Sequence, residues 1–154
     1  MVRLRSASGR RRVAFADFLI VPGGTPEREH ALRDGELITA LETPAQPSPL
    51  RSAYLKVRDR QSYEFALTSA AVALSIRDGV IRTAKVAADG VGTVPWRLRA
   101  VERRLVGRRP STELWRTAAA HAADGAEPLA RNAFKVDLLQ RTVERQLRIA
   151  GEQR

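Results

Sequence analysis

The sequence has no cysteine, two histidines, and aromatic side chains at 5% of its 154 residues. Without cysteine the chain itself supplies no disulfide, no thiolate zinc site and no iron–sulfur ligand, and the composition fits a reducing compartment. His30 and His121 lie too far apart in sequence to make a helical i, i+4 metal pair. No run of about 18 apolar residues is present to span a bilayer. The Arg-rich amino terminus lacks the apolar segment of a secretory signal, so none is expected. No Ser–His–Asp order, metal-ligand cluster or Walker loop can be assembled. Gly23-Gly24-Thr25 has prolines on both sides and no strand-to-helix context, so it reads as a plain turn rather than a phosphate loop.

What is abundant is arginine. The formal net charge is +10, and 24 arginines stand beside only three lysines. Residues 1–12 carry five arginines and no acid, and residues 97–109 carry six arginines against Glu102. Each stretch contributes +5, so the rest of the chain sums to zero. Such patches can meet phosphates, nucleic acid or an acidic partner. The simpler reading is a frayed terminus and the solvated back of a helix. Aromatics are not interleaved with the arginines, so no base-stacking surface is indicated and nucleic acid is not expected as a partner.

With 44% hydrophobic residues the chain can build a core. It breaks at Pro44-Ala45-Gln46-Pro47-Ser48-Pro49, where three prolines in six residues exclude helix and strand. Before the break, residues 12–15 and 36–42 read as strands, the second with Leu37, Thr39 and Leu41 opposite Ile38 and Ala40. Two strands and a loop cannot fold alone, so residues 1–46 read as the end of something larger.

After the break, residues 52–58 alternate, with Ala53, Leu55 and Val57 opposite Tyr54, Lys56 and Arg58. Residues 65–77 form a longer strand, Asp78-Gly79 a type I′ hairpin turn, and residues 80–88 the return strand. Past Pro95 the period changes to 3.6. Leu98, Val101 and Leu105 mark a helix ended by Gly107, and a second helix spans residues 112–123. A third begins at Asn132 as N-cap and aligns Val136, Leu139, Val143, Leu147 and Ala150. Trp96 and Trp115 read as core anchors, and His121 as a packed or surface residue. Residues 50–154 are thus predicted to be an α+β domain, a three-stranded antiparallel sheet followed by three helices.

Two segments carry a family signature. Tyr54-Leu55-Lys56-Val57-Arg58-Asp59-Arg60-Gln61-Ser62-Tyr63-Glu64-Phe65-Ala66-Leu67 leads into Ser69-Ala70-Ala71-Val72-Ala73-Leu74, and Asn132-Ala133-Phe134-Lys135 opens the last helix. These resemble the carboxy-terminal domain of the FAD-binding (medium) subunit in the xanthine dehydrogenase, carbon monoxide dehydrogenase and aldehyde oxidoreductase family. Upstream, residues 22–29 and 35–44 are similar to the close of that family's second flavin-binding subdomain. The resemblance runs from about residue 12 to about residue 150.

It implies a part of an oxidoreductase subunit that passes electrons from iron–sulfur clusters through FAD to an external acceptor. The implied partners are a molybdenum-cofactor large subunit, a [2Fe-2S] small subunit and the amino-terminal FAD-binding portion. The family's Gly-rich FAD loops have no counterpart here, so the chain alone is not expected to retain FAD or be active. Two family contacts map onto this sequence, Ile38 beside the flavin and Lys56 near the isoalloxazine ring. The assembled complex would reside in the cytoplasm, with the periplasm as alternative. Other readings are a flavin-free docking module of such a complex and, from another class, a basic nucleic-acid-binding protein.

Overall fold

The computed structural model describes residues 1–46 and 50–153. The chain forms two compact units, Met1–Gln46 and Pro47–Arg154. The proline-rich link expected at residues 44–49 lies partly outside the described residues.

The first unit contains β1 (Val2–Ser6), β2 (Gly9–Val13), a single-turn helix α1 (Phe15–Phe18) and β3 (Leu37–Leu41). Its sheet runs β2-β1-β3, so β1 is central and antiparallel to both neighbours. Val2, Leu4 and Phe18 are buried against Val13, Leu19, Ala31 and Leu32. Residues 1–12 are therefore not a frayed terminus. Burial of Val2 and Leu4 alternates with exposure of Arg3 and Arg5, the period of a half-buried strand. The strand expected at residues 12–15 starts earlier, at Gly9, where the hairpin pairing with β1 begins, and ends at Val13, because Phe15 opens α1.

A register shift changes β3. Arg3 pairs with Ala40 but Leu4 pairs with Ile38, leaving Thr39 as the extra residue of a β-bulge. Ile38 and Leu41 thus stand opposite the core residues Leu4 and Val2, while Leu37 and Ala40 stand opposite arginines. The strict alternation expected over residues 37–41 is broken at this point.

The second unit has β4 (Arg51–Val57), β5 (Thr68–Arg77), β6 (Val80–Asp89) and the two-residue β7 (Trp96–Arg97), in antiparallel order β4-β5-β6-β7. The three long strands follow those expected at residues 52–58, 65–77 and 80–88, except that β5 begins at Thr68 and leaves Phe65 exposed ahead of it; β7 is too short to show a period. Asp78 and Gly79 turn β5 into β6 with φ of 54° and 70°, the left-handed pair that a type I′ turn needs. Helices α2 (Arg99–Leu105), α3 (Thr112–Ala119) and α4 (Phe134–Glu152) follow. Val72, Leu74, Ile81 and Val86 of the sheet join Val101, Leu105, Trp115, Leu139, Val143 and Leu147 in one core. Fully burying a leucine or isoleucine contributes about 1.5–3 kcal/mol, so these side chains carry the unit's stability.

Two helix ends differ from expectation. The helix predicted over residues 112–123 is regular only to Ala119, and the chain continues through i to i+3 turns at His121, Ala122 and Ala126. Asn132 does not cap α4. Its Oδ1 accepts from the Leu129 N–H at 2.7 Å, closing the turn that leads in, and Ala133 takes the cap position without a side-chain bond.

Each edge of the second sheet is capped at particular positions by groups outside its long strands. On the β4 edge, the Gln153 amide both accepts from the Ser52 N–H (3.1 Å) and donates to the Ser52 carbonyl (2.8 Å). On the β6 edge, beyond β7, the Leu98 N–H donates to the Val86 carbonyl and the Gly107 N–H to the Ile81 carbonyl. Among the described residues no helix is long and apolar enough to cross a membrane.

Candidate functional site

The two residues assigned from the family resemblance, Ile38 and Lys56, lie in different units. Ile38 sits in β3, an edge strand that presents Leu37 (72% exposed), Ile38 (49%) and Leu41 (67%). Three large aliphatic side chains exposed on five residues of strand are an unusual surface, because such residues normally find cover.

The chain that leads into β3 is fixed by a partly buried ion pair. Arg11 Nε donates to Glu36 Oε1 at 2.6 Å and a second guanidinium nitrogen to Oε2 at 2.7 Å, while the Arg33 N–H also donates to Oε2. The Arg11 bond, then the Arg33 bond, lower the Glu36 pKa to about 2 against opposing desolvation. A carboxylate held below its ordinary value near 4.5 contributes stability that is complete above that value and disappears as pH falls through the folded-state one. Protection of β1–β3 amides from hydrogen exchange is therefore expected to fall between about pH 4.5 and 2. Glu36→Gln should be less protected at neutral pH and should lose most of that dependence. A variant with the wild-type pH profile would show that this pair does not hold the strand.

Lys56 lies on β4, opposite Ser69 of β5, with Tyr54 two residues away on the same face opposite Ala71. Ala53, Leu55 and Val57 take the other face, opposite Val72, Ala70 and Thr68. The Lys56 ammonium has no carboxylate partner among the described residues; its rung continues through Ser69 to Asp89, and the neighbouring rungs of the same face carry Tyr54, Ala71 and Ala87, then Ala73 and Lys85. By contrast Lys135 is committed: its Nζ donates to the Gly90 carbonyl at 2.8 Å. Among the described residues no group of three or more His, Asp or Glu could hold a metal. His121 pairs with Asp124 three residues on.

The sequence reading did not find the ordered arginine face of the β1–β2 hairpin or the structural role of Glu102. The first had a signal, the alternation Val2-Arg3-Leu4-Arg5; the second depends on contacts that no local pattern carries.

Residues 53–150 match the CO dehydrogenase flavoprotein C-terminal domain, and the chain belongs to that family. It is 40% identical over 133 residues to the aldehyde oxidoreductase FAD-binding subunit PaoB of Escherichia coli, covering 86% of this chain and 38% of that protein. It is 31% identical over 125 residues to the glyceraldehyde dehydrogenase medium chain of Sulfolobus acidocaldarius, covering 81% of this chain and 42% of the relative. In fold it is similar to a chain of quinoline 2-oxidoreductase from Pseudomonas putida, with a TM-score of 0.84 at 23% identity, over 98% of this chain and 52% of the other. A chain of carbon monoxide dehydrogenase from Hydrogenophaga pseudoflava gives 0.83 at 24%, over 97% and 51%. The chain thus spans about two-fifths of the relatives' length and half that of the solved chains. The family resemblance read from the two motif segments holds.

Proposed function

We propose that this chain is the carboxy-terminal part of the FAD-containing electron-transfer subunit of a molybdenum hydroxylase of xanthine dehydrogenase or aldehyde oxidoreductase type. The observation that carries this reading is the 40% identity, over 86% of the chain, to a protein named as an aldehyde oxidoreductase FAD-binding subunit. Residues 1–46 would close the flavin-binding fold and residues 50–154 form the family's carboxy-terminal domain. The partners would be a molybdenum-cofactor large subunit, a [2Fe-2S] small subunit and a separate or preceding FAD-binding portion, together in the cytoplasm or, as the alternative, the periplasm.

The residues present suit only the ring end of FAD. Gly23 and Gly24 lie in an open loop where an added Cβ meets nothing within 4 Å, which is not the close backbone approach of a pyrophosphate cradle. The exposed aliphatic side chains of β3, Ile38 and Leu41 on one face, suit an apolar ring, and Lys56 offers an ammonium with no carboxylate partner among the described residues. When bound, the flavin supplies electron acceptance and release. This chain's part is to shield one edge of the ring through Ile38 and to keep a positive charge near it through Lys56.

Two measurements test the reading. The chain alone should emerge from gel filtration without a flavin spectrum, since two ring contacts cannot offset the entropy lost on binding. In the complex restored with the FAD-binding portion, Lys56→Met keeps the stem and removes the charge. The flavin potential should drop by about 30 mV or more, a tenfold change in a two-electron equilibrium. Transfer to the external acceptor should slow, while substrate oxidation with an artificial dye at the molybdenum site stays intact. An unchanged potential with an unchanged acceptor rate would remove Lys56 from the site, and a restored complex free of flavin would refute the function.

A further inference from the structure

The β1–β2 hairpin sets four arginines in two rungs on one sheet face. Arg3 stands opposite Arg12 and Arg5 opposite Arg10, all exposed, while Val2 and Leu4 are buried in the core. Like charges directly opposite one another in a sheet are destabilising, so each rung calls for a counter-charge. One rung has it. Glu42 accepts from Arg3 through Oε1 and from Arg12 through Oε2, the latter at 2.6 Å. Partial burial pulls the Glu42 pKa up, and the bonds from Arg3 and Arg12 outweigh this and hold it below the ordinary range.

The second rung lies two residues along, about 7 Å away at strand spacing. It repeats the guanidinium pair, yet no carboxylate meets Arg5 or Arg10 among the described residues. The face between the rungs is a groove of about 590 Å³ that also reaches Thr39 and Ala40. The charge is local, because residues 1–46 hold seven arginines against six acidic residues, a formal +1. No aromatic side chain lines the groove to stack a base.

We infer that the Arg5–Arg10 rung docks an acidic segment of a partner polypeptide, one carboxylate of which takes the place that Glu42 holds on the neighbouring rung. The structure itself supplies the template, a carboxylate bridging a cross-strand arginine pair with a charge-assisted bond to each. A segment with further acids would extend to the exposed outer sides of Arg3 and Arg12.

A labelled hexaglutamate peptide binding the full chain provides the test, with inorganic pyrophosphate and an oligonucleotide as competitors. Arg5→Gln/Arg10→Gln should weaken hexaglutamate binding about tenfold or more, as expected for losing charged hydrogen bonds. Arg103→Gln/Arg104→Gln, which removes the same charge elsewhere, should leave it unchanged. Arg10→Glu places the missing carboxylate opposite Arg5 in the chain itself, so it should abolish binding and raise the melting temperature of the first unit. Equal loss in both double variants would reduce the effect to net charge and overturn the proposal. So would wild-type binding by Arg10→Glu, or displacement by pyrophosphate or oligonucleotide at lower charge equivalents than the peptide itself.

Discussion

Trp115→Ala is expected to destabilise the second unit by about 3–5 kcal/mol, the range for deleting a buried aromatic side chain. Trp115 is 4% exposed and lies on α3 in the core shared with α4. Its ring seats against Gly151 in the last turn of α4: a Cβ added there would come within 2.5 Å of Cζ2 and 3.2 Å of Cε2. Helix propensity alone favours Gly151→Ala by about 1 kcal/mol. The indole cannot yield inside a packed core, however, so overpacking of about 1–3 kcal/mol should reverse the sign. Urea denaturation measures both, with Trp96 fluorescence as the probe once Trp115 is gone. Gly151→Ala should become harmless in the Trp115→Ala background, a non-additivity expected of residues in contact. Additive losses would show that the ring and the glycine are not coupled.

The hairpin and the helix faces of the second unit were legible because each is written in a local period. Alternation over residues 68–77 ends at Asp78-Gly79, and the 3.6 spacing of Leu139, Val143, Leu147 and Ala150 describes the buried side of α4. What stayed hidden is set by partners distant in sequence. Strand β1 is only five residues long and its polar face is arginine, so its alternation looked like a charged tail until β2 and β3 flanked it. The bulge at Thr39 exists only in the pairing of β1 with β3. Asn132 has the right chemistry for a cap, and its own turn at Leu129 takes that oxygen first.

The candidate site divides in the same way. Lys56 and Ile38 entered through the motif segments, and no periodicity distinguishes them from neighbouring strand residues. Their surroundings needed the fold, namely an ammonium with no carboxylate partner among the described residues and an edge strand with three exposed aliphatic side chains. Glu102 is the opposite case. The sequence marks it only as the one acid among six arginines, which invites a reading as surface charge. The fold instead buries it and uses it to complete a sheet edge.

Glu102→Ala is expected to cost about 2–3 kcal/mol, and Glu102→Gln well under half of that. Strand β7 covers β6 only at Ala87 and Ala88, so the Val86 N–H at the next position has no strand partner. Glu102 Oε1 accepts that N–H at 2.8 Å in a buried setting, while the same carboxylate takes Arg97 Nε. Alanine removes the acceptor and leaves a buried amide unsatisfied, the expensive half of any broken hydrogen bond. Arg97 is partly exposed and can turn to water, so its lost ion pair costs little. Glutamine keeps an oxygen at Oε1 for Val86 and gives up only the charge. The ratio of the two losses therefore separates the functions of one side chain. Both tryptophans lie in the second unit, so fluorescence-monitored urea denaturation reports this unit alone. Arg97→Met serves as the reference for the ion pair by itself. If Glu102→Gln proves as damaging as Glu102→Ala, and Arg97→Met matches them, the ion pair rather than the edge amide is what holds α2 to the sheet.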